Sequence, residues 1–268
     1  MIRIEDLNDS RVDIFTKYNE AQLLHYYEPS GGVFIAETPV VIERALERGC
    51  VPEAFLIEEE MSDSDAVIQL IKRCSEEVDI FVAPLQVINK ITGYNLTRGV
   101  LCAMRRPELS SVTELLESSK RVAVLEDVMN PTNVGAIFRS AAALGVDAIF
   151  LTKPCADPFY RRASRVAMGT TFQIPWTYLS EKKDWCDAFC QNNYKIVSMA
   201  LADRAVSLAE LDFGEKDKVA VVFGTESTGI KESTLEKSDY IAIIPMQNGV
   251  DSLNVAAASA VAFWEINR

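Results

Sequence analysis

Beyond residue 120 the chain alternates short, almost purely apolar runs with stretches of helical spacing, and this alternation limits the fold more than any other feature. Runs at 122–126, 148–151, 174–178, 195–200, 218–223 and 240–244 read as strands. Helical spacing covers 133–144, 185–192 and 252–265, and Gly145 supplies the usual stop after the first of these. Strands with no polar face must be covered on both sides. That requires a parallel sheet with helices on both faces, an α/β architecture. The N-terminal part reads as a smaller, mixed α/β domain. It has helices at 40–48, 64–75 and 85–92 and strands at 54–58, 80–83 and 99–104. Ser62 or Asp63 is the expected cap of its second helix. The boundary falls near Arg105, Arg106, Pro107 and Glu108, which divides the chain into a domain at 1–106, a linker or leading helix at 107–119, and a domain at 120–268.

Composition removes several function classes. Hydrophobic residues make up 49% and charged residues 25% of the 268, a globular balance. No apolar run reaches the roughly 18 residues of a membrane span, so no membrane partner is expected. Residues 1–13 carry four acids and two arginines and no apolar core, so no secretory signal is expected and the cytoplasm is the default location. None of the six cysteines forms a Cys-x-x-Cys pair, and Cys186 and Cys190 share a helix face without a second ligand pair. The single histidine, His25, lies beside Tyr26 and Tyr27. No metal site and no histidine-based triad are therefore expected.

The net charge of −12 opposes generic phosphate binding. Residues 1–110 hold 11 basic and 19 acidic side chains, and residues 111–268 hold 16 and 20. One window reverses the sign, with Lys153, Arg161, Arg162 and Arg165 against Asp157 alone. It is either a solvated helix face or a local patch for phosphates.

Three loops carry unusual polar sequences where strands end, which is where parallel sheets place their ligands. In the first, 126–139, Asn133 stands at a helix start and can cap it. Arg139 follows two turns later, near the same side, and an arginine in an apolar helix needs a partner or a polar cleft. In the second, 222–230, Gly224 and Gly229 flank Glu226 and allow tight turns. It matches neither the Walker loop nor the dinucleotide fingerprint. In the third, 244–258, Ser252 and Asn254 precede an alanine-rich helix. A cap, an ion pair and an ordinary turn would explain each loop taken singly.

In this order the three resemble the signature motifs of the SpoU (TrmH-like) branch of the SPOUT RNA methyltransferases, over roughly residues 120–268. Asn133, Gly135 and Arg139 fit the first motif; Gly224, Glu226 and Gly229 the second; Ile244, Pro245, Met246, Ser252, Leu253 and Asn254 the third. The N-terminal part resembles the α/β substrate-binding domain often fused to this catalytic domain, and residues 97–101 resemble the usual lead into the linker.

The resemblance implies a parallel α/β sheet closed by a deep C-terminal trefoil knot, although knots are almost absent from proteins at large. It implies S-adenosylmethionine as cofactor, with Gly224, Ile244 and Leu253 lining the adenosine pocket and Thr225 and Met246 helping. It implies a homodimer through the knot region, with 255–264 as a plausible interface, and methylation of a ribose 2′-hydroxyl in RNA, ribosomal RNA ahead of transfer RNA. Arg139 is the family's candidate for the proton, with Asn133, Glu226, Ser252 and Asn254 positioning it and the nucleotide. A neutral guanidine at pH 7 costs about 7–8 kcal/mol, so a charged Arg139 that stabilises the forming alkoxide or a phosphate is the alternative. Lys153, Arg161, Arg162 and Arg165 are the candidates for RNA phosphates. A non-catalytic RNA-binding member of the family and a nucleotide-dependent oxidoreductase are the competing readings, the latter weakened by the missing glycine fingerprint.

Overall fold

The computed structural model describes residues 1–268 except Leu7, Pro29, Ser30, residues 93–98 and Lys183, together with the side chains of Ile91 and Thr92. Thr97 and Arg98, from the lead into the linker, lie outside the described residues. The chain divides into two compact units: Met1–Glu108 with Phe159–Phe172, and Leu109–Pro158 with Gln173–Arg268.

The first unit is built on β1 (Ile2–Arg3), β2 (Val33–Glu37), β3 (Pro52–Glu58), β4 (Asp79–Ala83) and β5 (Val100–Arg105), in the order β1-β4-β3-β5-β2. β1, β4 and β3 are parallel, while β5 runs antiparallel to β3 and β2. Sequence reading misses β1 and β2. The first is two residues long, and every residue of the second is buried, which erases the period-two alternation. The helix expected at 64–75 spans Asp65–Lys72, and its cap is Ser64, not Ser62 or Asp63: the Ser64 hydroxyl accepts from the Val67 backbone N–H.

The segment Phe159–Phe172 is folded into this first unit although it follows a strand of the second. Phe159 stacks on Phe172 at 4.8 Å between ring centroids, and Phe34 lies 5.3 Å from both. Arg44 donates to the Met168 carbonyl at 2.6 Å. The carboxylate of Glu37, 1% exposed, accepts from Arg165 at 3.1 Å and lies 3.8 Å from the Arg161 guanidinium. A carboxylate this deep needs such partners, because an unpaired buried charge is costly. The two arginines keep some water contact, which softens the expected loss. Glu37→Ala is expected to lower the unfolding free energy by about 2–3 kcal/mol. An unchanged midpoint in urea would show that the pair contributes nothing.

The second unit holds β6 (Arg121–Leu125), β7 (Ala148–Leu151), β8 (Trp176–Tyr178), β9 (Tyr194–Met199), β10 (Val206–Ser207), β11 (Lys218–Phe223) and β12 (Tyr240–Ile243). They form one sheet in the order β10-β12-β9-β11-β6-β7-β8, with every pairing parallel. This is the sheet that the apolar runs demand: β6 and β7 are buried at every residue. The stretch 107–119 contains the helix Val112–Ser118, opened by a reciprocal Ser111–Glu114 capping box and buried through Leu115 and Leu116. Arg121 is 9% exposed, and its guanidinium donates to the carbonyls of Ile266, Gly214 and Asp217, tying the end of the last helix to the start of β6. No described helix is long and apolar enough to cross a membrane. The six thiols are unpaired, and burial pushes those of Cys50 and Cys186 up to about 12.

Candidate functional site

The caps of two helices, one of them displaced from the sequence reading, set up the site. The first-motif helix spans Pro131–Ala143 and is capped by Asn130, whose side chain accepts from the Thr132 N–H. Proline at the first helical position fits, since its missing N–H would be unpaired there anyway. Asn133 is therefore not the cap. It is the third residue of the helix, 7% exposed, and its amide is left for another partner. The last helix spans Val255–Ile266 and is capped by Asn254, not Ser252: Asn254 Oδ1 accepts from the Ala256 N–H at 2.9 Å.

The amide nitrogens of both asparagines point to one atom. Asn133 Nδ2 donates to Glu226 Oε1 at 2.8 Å, and Asn254 Nδ2 donates to the same oxygen at 2.6 Å. Asn254 Nδ2 also lies 3.3 Å from Asn133 Oδ1. The three loops thus meet at one carboxylate. Hydrogen bonds to an ionised acceptor are about twice as strong as neutral ones, so this junction holds the loops in register.

Glu226 rides on a tight loop after β11. Thr225 and Gly229 exchange two backbone hydrogen bonds of 3.1 Å each, and Gly229 adopts a positive φ of 69°. A Cβ on Gly224 would stand 2.3 Å from the Gly229 carbonyl carbon and oxygen, so only glycine permits this approach. Glu126, 1% exposed at the end of β6, holds the far end of the loop by accepting from the Lys231 N–H and the Thr234 hydroxyl, each at 2.7 Å. Burial alone would raise the neighbouring Asp127 carboxyl, but hydrogen bonds from Lys231 and Thr152 outweigh it and hold the group below its ordinary value.

Beside the junction lies a cavity of about 670 Å³ at the carboxyl ends of β9, β11 and β12. Gly224, Thr225, Ile244, Met246 and Leu253 all line it, as do Glu226, Ser252 and Asn254. Sequence reasoning missed its opposite wall, Met199 to Leu201. That wall follows from β9 lying next to β11, an adjacency no local pattern reveals.

Arg139 is not among the lining residues. It is exposed and makes no hydrogen bond or ion pair among the described residues. Six helical residues rotate by about 240°, so Arg139 leaves the helix about 120° away from Asn133 rather than near the same side. Of the basic window, Arg161 and Arg165 face Glu37, Arg162 is exposed on the same helix, and Lys153 is exposed beside Tyr178, its ammonium 4.6 Å from the ring centroid.

Comparison with known proteins decides the family. The model of the SpoU rRNA Methylase family matches residues 120–264. The chain belongs to this family. It is 32% identical to an uncharacterized tRNA/rRNA methyltransferase of Mycobacterium bovis, over 98% of this chain and 90% of that one. It is 25% identical to the 23S rRNA guanosine 2′-O-methyltransferase RlmP of Bacillus subtilis, over 87% of this chain and 88% of that one. The AdoMet-bound rRNA methyltransferase of Sinorhizobium meliloti shares the fold, with a TM-score of 0.80 at 21% identity over 98% of this chain and 96% of that one.

The SpoU-family loop gives a sharp test. Gly224→Ala is expected to force the 224–230 loop open and to weaken S-adenosylmethionine binding at least about tenfold in calorimetry, because the added carbon meets backbone that cannot swing aside. Unchanged affinity would separate the loop from the cofactor.

Proposed function

We infer that this chain transfers a methyl group from S-adenosylmethionine to a ribose 2′-hydroxyl of structured RNA, ribosomal RNA ahead of transfer RNA. The observation that carries this reading is the junction of three distant loops on Glu226 Oε1 beside a cavity of nucleoside size. Its volume of about 670 Å³ falls within the usual range for small-molecule sites. Backbone at Gly224 and Thr225 suits the edge of an adenine, and Ile244, Met246 and Leu253 suit its faces. The family, and a Bacillus subtilis relative named for 23S rRNA ribose methylation, support the same substrate. The trefoil knot and a cytoplasmic location belong to this reading as well.

The cofactor, when bound, supplies an electrophilic methyl group on a sulfonium. The work left to the protein is to place the hydroxyl and manage its charge, since a hydroxyl is a weak nucleophile that loses its proton on attack. Glu226, held by two amides, presents a fixed carboxylate at the cavity, and Ser252 offers a hydroxyl there. These groups position the nucleotide. Arg139 remains charged and stabilises developing negative charge on the ribose oxygen or an adjacent phosphate.

Because Arg139 is exposed on one chain, a homodimer gives it a site to act on. The exposed Val261 and Trp264 of the last helix offer an apolar face for that association. Arg139→Ala is expected to leave cofactor affinity within about twofold while turnover on RNA falls by at least about 100-fold. Wild-type turnover in that variant would defeat the assignment. Trp264→Glu is expected to yield monomers in light scattering, since a buried unpaired carboxylate disfavours association; a dimer of unchanged affinity would exclude this face.

A further inference from the structure

A second cavity, of about 420 Å³, opens at the carboxyl ends of β6, β7 and β8, on the opposite flank of the parallel sheet from the first. The two share a wall. Along residues 230–235, Ile230, Glu232 and Leu235 line the first cavity, while Lys231, Ser233 and Thr234 line the second. One short helix separates them, a thickness of about 10 Å.

The second cavity has a different chemistry. Lys153, Lys182 and Lys231 line it, and so do Glu126, Glu181 and Asp184. The count is even, but the carboxylates are mostly engaged. Both oxygens of Glu126 accept hydrogen bonds from the wall itself. Asp184 accepts from the Cys186 N–H at 3.0 Å and pairs with Lys237 at 2.8 Å. Lys231 is held by Asp127 at 2.7 Å. Two cations remain. The Lys182 ammonium has no partner among the described residues, and Lys153 rests on the face of Tyr178, which leaves its charge intact. Ser180, Ser233 and Trp185 also line the cavity, while the Thr152 hydroxyl is taken up by Asp127.

We propose that this cavity is an RNA subsite, which takes a phosphodiester and base of the strand flanking the nucleotide that is methylated at the mouth of the first cavity. Lys153 and Lys182 meet the phosphate, the Ser180 and Ser233 hydroxyls meet the sugar, and Trp185 offers a stacking surface. This explains how an acidic chain holds RNA: it needs only a few cations, placed beside the reacting nucleotide. The subsite rests on the methyltransferase reading, and the experiment separates the two.

Methyl transfer from labelled S-adenosylmethionine is measured on total RNA from cells lacking this chain, across a salt series. For the Lys153→Glu/Lys182→Glu pair the KM for RNA is expected to rise at least about tenfold. The salt slope should fall by about 1–2, and cofactor affinity should stay within about twofold. Lys153→Arg/Lys182→Arg, which keeps the charge, should retain the RNA KM of the wild type. Equal KM and salt slope in the Glu pair and the wild type would overturn the subsite while leaving the methyltransferase reading intact. Equal loss in the Glu and Arg pairs would also overturn it, since charge would not be the cause. A wild-type protein that binds cofactor yet methylates no RNA would overturn the reading beneath it, and the subsite with it.

Discussion

One carboxylate oxygen, Glu226 Oε1, joins three parts of the chain that lie far apart in sequence. Its donors are 93 residues before it and 28 residues after it. Loop-closure entropy grows only with the logarithm of length, so the longer closure costs only about 1 kcal/mol more than the shorter. Neither closure is achieved by the hydrogen bonds alone. The parallel sheet brings the strand ends together first, because β11 pairs directly with both β6 and β9. The amides then fix which loop conformations survive. The sheet supplies proximity and Glu226 supplies register.

The same economy appears in the two asparagine caps. Asn130 takes the task of capping the first-motif helix, which leaves Asn133 free to face the carboxylate. Asn254 does both jobs at once, accepting from the helix with Oδ1 and donating to Glu226 with Nδ2. An asparagine side chain alone has both an acceptor and donors in one planar group of this size. Stability of the last helix and geometry of the site are therefore coupled at a single residue. A serine at 254 could cap but could not reach the carboxylate in the same way.

Much of this was legible in the sequence, for physical reasons that differ by feature. Continuous apolar runs announced β6, β7 and β11, because a strand buried on both faces has no polar side to show. Gly224 and Glu226 were legible as a motif, and the clash at Gly224 gives the reason the glycine stands there. The caps were misread by a few residues because Asn130, Asn133, Ser252 and Asn254 all qualify by type, and only the backbone turn decides among them. β2 was missed because full burial removes the alternation that marks a strand. Glu126 was visible but had no role, since its partners Lys231 and Thr234 lie more than 100 residues away.

The basic window shows the limit most clearly. Counting charge along the chain gathers Lys153, Arg161, Arg162 and Arg165 into one patch. In the fold, Arg161 and Arg165 turn to Glu37, which is 128 residues from Arg165. Lys153 instead stands in the second unit at the mouth of the sheet. A cation facing a buried carboxylate contributes little to a phosphate, because its field is already largely neutralised at short range. What matters for an acidic protein that handles RNA is therefore the number of cations left over after folding, not the number in the sequence. In a chain of net charge −12, affinity must come from the placement of those cations next to the reacting nucleotide rather than from bulk charge.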